Sequence, residues 1–162
     1  MATYRVIGKG EEGKHFDDNA RDSVIAYCLQ KKKTPHHLFG GRAINIENAA
    51  FEMDTLSSLY NNNEKVRLRH SVISFDSSDH INLKGIEGFA KAAVNYFGDR
   101  YQIIYSVHED TEHYHVHLVM NQVSYLDGRK YTGTRKEHYD FINYMRSYTK
   151  PYGISFNPVS ED

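Results

Sequence analysis

Apolar residues along the chain recur at two periods. One is every second residue, as on a strand with one buried face. The other is every third or fourth, as on a helix. Tyr4–Ile7 reads as a short strand, followed by a Gly/Glu/Lys loop over 8–13. Asp17 or Asp18 can cap a helix running to about Lys33, where Thr34-Pro35 stops it. Val24, Ile25, Cys28 and Leu29 form its apolar stripe, with Tyr27 at the edge. Gly40-Gly41 marks a loop, and a second helix runs from about Glu47 to Tyr60, ended by Asn61-Asn62-Asn63. Val66–Phe75 reads as a strand and Asp76–Asp79 as a turn. Over 83–97, Ile86, Phe89, Ala90, Ala93, Val94 and Phe97 line one side of an amphipathic helix, closed by Gly98. Tyr101–His108 and His113–Val123 form a β-hairpin around a tight loop, Glu109–Glu112. Asp127-Gly128 is another turn. The last helix spans about Glu137–Thr149, with Phe141, Ile142, Met145 and Tyr148 apolar. The expected architecture is α+β: one domain over 1–162, a central antiparallel sheet with helices packed on one face.

Composition narrows the class only modestly. The 162 residues suit one domain with its own core. No apolar run approaches the roughly 20 residues that span a bilayer, and the N-terminal residues have no signal-peptide h-region, so no membrane partner is expected. A single cysteine, Cys28, excludes an intrachain disulfide and fits a reducing cytoplasm. Net charge is −1, so nothing in the overall balance argues for nucleic acid. The basic residues are uneven, however: Lys31-Lys32-Lys33 form a run, Arg67 and Arg69 precede a strand, and Arg129, Lys130, Arg135 and Lys136 cluster late.

The strongest chemical signal is the stretch His108-Glu-Asp-Thr-Glu-His113-Tyr-His115-Val-His117. Alternation puts His113, His115 and His117 on one face of a strand, with same-face Cβ atoms roughly 6 to 7 Å apart. Tyr114, Val116 and Leu118 then face the core. With a four-residue loop, His108 pairs across from His113 and joins that face; His70 can reach it from another strand. Neutral imidazoles bind divalent metals, and a three-His site leaves positions open for substrate. Asp110 and Glu109 are placed to orient an imidazole from behind.

The string HEDTEHYHVHLVMNQV resembles the third motif of plasmid and conjugative-element relaxases, mobilization nucleases of the HUH endonuclease superfamily. His115-Val116-His117 is the HUH triplet. The resemblance extends to Asn121, to Asp127-Gly128-Arg129-Lys130, to the strand HSVISFD at 70–76 and to the N-terminal Tyr-bearing helix. It implies an enzyme that cuts one DNA strand at an origin of transfer, where a tyrosine hydroxyl attacks the phosphate and leaves a 5′-phosphotyrosyl link. By motif position the metal ligands are His108, His115 and His117, for a divalent ion such as Mn or Mg. His113 is then a neighbour or alternate ligand. The nucleophile matches Tyr27, within Ile25-Ala26-Tyr27-Cys28-Leu29-Gln30-Lys31-Lys32-Lys33, with Tyr4 the next candidate. Lys31, Lys32, Lys33 and Arg69 are the expected DNA contacts, and accessory mobilization proteins are possible partners. Cys28 reads as a core residue.

Three alternatives stand beside this reading. A rolling-circle replication initiator or HUH transposase would place its tyrosine in the last helix, at Tyr139, Tyr144 or Tyr148. A catalytically silent DNA-binding module would keep the sheet and the metal. A small non-nuclease metallohydrolase is the third, although no His-x-x-x-His helix with an adjacent Glu is present to make it a zincin.

Overall fold

The computed structural model describes residues 1–7, 18–30, 38–62, 66–110 and 113–159. The elements run in the order β1 (Ala2–Ile7), α1 (Ala20–Cys28), β2 (Phe39–Arg42), α2 (Ala49–Leu59), β3 (Leu68–Phe75), α3 (Leu83–Phe97), β4 (Tyr101–Asp110), β5 (His113–Ser124), α4 (Arg135–Thr149) and β6 (Phe156–Pro158). They form a single domain around one six-stranded sheet of order β2-β4-β5-β3-β1-β6. All pairings are antiparallel except β1 with β6, so the sheet is mixed rather than purely antiparallel.

Helices cover both faces of the sheet, not one. Val116, Leu118 and Met120 of β5 and Ile73 and Phe75 of β3 pack against Ile86, Phe89 and Val94 of α3 and Phe141, Ile142 and Met145 of α4. Leu68, Ile104 and Val119, of opposite parity, pack against Ile25 and Cys28 of α1 and Met53 of α2. The chain reached this arrangement because the central strands are apolar on both sides over part of their length, which a single helical layer would leave wet. The face under α1 and α2 is the one that carries the histidines.

Local chemistry explains several boundaries. The Asn82 side chain accepts a hydrogen bond from the Gly85 amide at 2.9 Å and starts α3. Thr134 does the same for Glu137 at 3.2 Å, so α4 begins at Arg135, slightly before the expected start. A 3-10 turn, Ile46–Asn48, leads into α2. Gly40-Gly41, expected in a loop, lies in edge strand β2. A Cβ at Gly40 would sit 2.8 Å from the Tyr105 ring, and one at Gly41 would sit 2.9 Å from the Ile103 carbonyl. Glycine here marks close strand approach, not a turn.

The hairpin register also differs from expectation. β4 continues through Glu109 to Asp110, which pairs with His113, and His108 pairs with His115. The connection is therefore two residues, not four. The shift is an even number of positions, so His108 keeps the face predicted for it.

Candidate metal centre and nucleophile

One end of the sheet face beneath α1 is lined by imidazoles. His108 of β4 and His117 of β5 are buried, with ring centres 4.0 Å apart. His115 is half-buried and stands directly opposite His108 in the ladder. His70 of β3 is also buried, and its Nε2 lies 2.8 Å from His117 Nδ1. His113 is exposed, beyond this group at the start of β5.

Hydrogen bonds dictate which ring nitrogens remain for a ligand. His108 donates its Nε2–H to the Cys28 carbonyl at 2.7 Å. A neutral His108 therefore keeps its lone pair on Nδ1. When His117 donates Nδ1–H to His70 Nε2, its own lone pair sits on Nε2. That is the usual arrangement of a ligating histidine held from behind by an acceptor. His70 is thus in hydrogen-bonding contact with the back of the His117 ring. Asp110 is the last residue of β4 rather than a loop residue, and Glu109 is exposed.

The imidazoles of His108 and His117 crowd together in a mostly water-excluded setting. Among the described residues, the donors gathered tightly enough to hold an ion, within 4.8 Å of one another, are those of Cys28, His70 and His117, so of the expected ligands His108, His115 and His117 only His117 belongs to that group.

α1 brings the tyrosine to this cluster. The helix ends at Cys28, well before the expected Lys33, and the reason is visible at its last carbonyl. The Cys28 carbonyl accepts from His108 Nε2 and also from Ser106 Oγ. Side chains of the sheet satisfy the group that would otherwise bond to the next helical turn. The Tyr27 ring consequently lies edge-on to both histidines, 6.0 Å from the His108 centre and 5.9 Å from that of His117. It is 41% exposed, enough for its hydroxyl to meet a substrate. Cys28 itself is fully buried, as expected of a core residue, but its Sγ also lies 3.7 Å from His70 Nε2.

The other tyrosine candidates lie elsewhere. Tyr4 is 1% exposed and packs edge-on to Phe141, in the core of the opposite face. Tyr144 donates to the Ala92 carbonyl on that same side, and burial followed by its hydrogen bond to Tyr148 pushes its hydroxyl up to about 12. Tyr139 and Tyr148 are exposed on α4, likewise across the sheet. Arg69 is also on the far side, its guanidinium carbon 4.9 Å from the Tyr131 ring centre. Lys31, Lys32 and Lys33 lie outside the described residues.

Sequence reasoning missed a buried polar knot beside the site. Arg21 of α1 is 1% exposed. It donates to Asp54 at 2.6 Å, Ser57 at 2.7 Å, the Arg67 carbonyl at 2.9 Å and Asn121 Oδ1 at 3.0 Å. Burial lowers its pKa and Asp54 opposes that shift. Asn121 in turn donates to Gln102 Oε1 at 3.0 Å. Together they tie α1 to α2 and to β5.

The family model "Relaxase: MobA/VirD2-like, nuclease domain" matches residues 27–154. No curated protein sequence matches significantly. A solved structure described as "Molecular Basis of Vancomycin Resistance Transfer in Staphylococcus aureus" superposes with a TM-score of 0.49 at 11% identity, covering 76% of this chain and 74% of that one. No described helix is long and apolar enough to cross a membrane.

Proposed function

Because the chain belongs to the family of MobA/VirD2-like relaxase nuclease domains, we propose that it nicks single-stranded DNA at an origin of transfer with Tyr27 as the attacking group. The observation that carries this reading is the placement of an exposed tyrosine edge-on to two buried histidines, by a helix whose last carbonyl one of them holds. The Tyr27 oxygen forms a bond to the scissile phosphorus as the bond to the 3′ oxygen breaks. The tyrosine gives up its proton to solvent or a nearby base, and the departing oxygen takes one up to become a free 3′-OH. The product is a 5′-phosphotyrosyl link. A divalent ion such as Mn or Mg, bound by His108, His115 and His117, would supply positive charge to the phosphate, stabilising the charge that develops there in the transition state. His70 holds the His117 ring, and Ser106 with His108 holds the end of α1. Lys31–Lys33 follow Tyr27 closely in sequence and are the expected phosphate contacts; accessory mobilization proteins remain possible partners.

A tyrosine from α4, as in replication initiators and transposases of the superfamily, is disfavoured because α4 packs on the opposite face of the sheet. The test is direct. Incubation with single-stranded origin DNA and Mn²⁺, followed by proteolysis, should leave the nucleotide on the peptide containing Tyr27. Label on a peptide containing Tyr139, Tyr144 or Tyr148 would move the chemistry to α4. Origin binding with no adduct would make the domain a silent binding module.

The metal proposal has its own readout. Mn²⁺ at ~100 times its dissociation constant should stabilise the wild-type protein by about 2.7 kcal/mol, a rise of several degrees in melting temperature. The His115→Ala/His117→Ala double variant should show no rise. Equal shifts in both proteins would remove these histidines from the ligand set.

A further inference from the structure

Cys28, His70 and His117, all buried, each offer a donor atom within 4.8 Å of the other two; His70 Nε2 lies 3.7 Å from Cys28 Sγ and 2.8 Å from His117 Nδ1. We propose that they form a second metal site, selective for a thiophilic ion such as Zn²⁺, and that its occupation switches off the three-histidine site.

The donor geometry supports it. Zinc with nitrogen at about 2.05 Å and sulfur at about 2.3 Å, in a tetrahedron, sets ligand separations of about 3.4 Å between nitrogens and about 3.6 Å between nitrogen and sulfur. Cys28 Sγ and His70 Nε2 are already 3.7 Å apart. His70 Nε2 and His117 Nδ1 are 2.8 Å apart and need to open by roughly half an ångström as the ion replaces their hydrogen bond. On binding, the thiol releases its proton to solvent and the thiolate coordinates. Thiolate with imidazole suits zinc, whereas Mn²⁺ and Mg²⁺ favour harder donors.

Exclusivity follows from His117. The thiophilic site uses its Nδ1, and the three-histidine site uses its Nε2. A neutral imidazole has one lone pair. Coordination at Nδ1 leaves the proton on Nε2 and takes that nitrogen away from the other ion. This consequence rests on the nuclease reading; the site itself does not.

Cys28 is the chain's single cysteine, so any thiolate-to-metal charge-transfer band must come from it. Titration of the intact protein with Cd²⁺ or Co²⁺ should give a band that saturates at one equivalent. The band should vanish in Cys28→Ser, weaken at least about tenfold in affinity in His70→Gln, and persist in His108→Ala. The glutamine retains a hydrogen-bonding side chain, and circular dichroism verifies that each variant is folded. No band in the wild type, or one indifferent to His70→Gln and His117→Gln, would overturn the site. Pre-incubation with one equivalent of Zn²⁺ should then suppress Mn²⁺-supported nicking in the wild type by about tenfold or more. In Cys28→Ser the suppression, measured against that variant's own activity, should be lost. A band without suppression would overturn the exclusivity. A protein that never nicks would still reveal or refute the site through its spectrum.

Discussion

Tyr27→Phe should eliminate the covalent DNA adduct and lower nicking by about 10⁴-fold or more, the order lost when a covalent nucleophile is removed. The substitution deletes one hydroxyl from a ring that is 41% exposed, so the expected stability change is within about 0.5 kcal/mol. The phenyl ring can keep its edge-on packing against His108 and His117, and none of the proposed ligands is altered. The Mn²⁺-induced rise in melting temperature should therefore persist. Loss of adduct together with a preserved metal response assigns the oxygen its role. An adduct that forms at wild-type rate would sink the assignment.

A second large effect is expected from a residue outside the proposed ligand and nucleophile set. Arg21→Met should destabilise the fold by about 3–5 kcal/mol, as when one partner of a buried charged network is removed. The change keeps most of the side-chain volume but removes the short bonds of 2.7 to 3.0 Å to Ser57 Oγ, the Arg67 carbonyl and Asn121 Oδ1, leaving these buried acceptors only longer partners at 3.3 to 3.4 Å. At a few degrees per kcal/mol for a domain of this size, the melting temperature should fall by about 10 °C. Asp54 is 37% exposed and can turn to water, so the ion pair contributes less of this loss than the buried acceptors do. A fall of under about 1 kcal/mol in chemical denaturation would mean that the knot is replaceable by packing alone.

The contrast between these residues shows what the sequence could reveal. The histidine face was legible because strand alternation is local: His113, His115 and His117 declare their common side within five residues. The helix over 83–97 was legible for the same reason, and its observed limits, Leu83–Phe97, coincide with the expectation. Arg21 was not, since Asp54, Ser57 and Asn121 lie 33, 36 and 100 residues away. Nor was the end of α1, where hydrogen bonds donated to its last carbonyl by Ser106 and His108 overrode a continuing helical pattern. The edge strands β2 and β6 are short and carry glycine or proline, signals that ordinarily mean loop. The second helical layer escaped notice because both parities of β5 are apolar only in its middle, where Leu118, Val119 and Met120 run together.

The two-faced sheet divides heritable risk. Phe141, Ile142 and Met145 secure α4 across the sheet from Tyr27 and the imidazoles. Substitutions there can erode or restore thermal robustness with little displacement of the reacting groups. Drift in stability on that side is thus separated from drift on the face that carries the imidazoles and Tyr27.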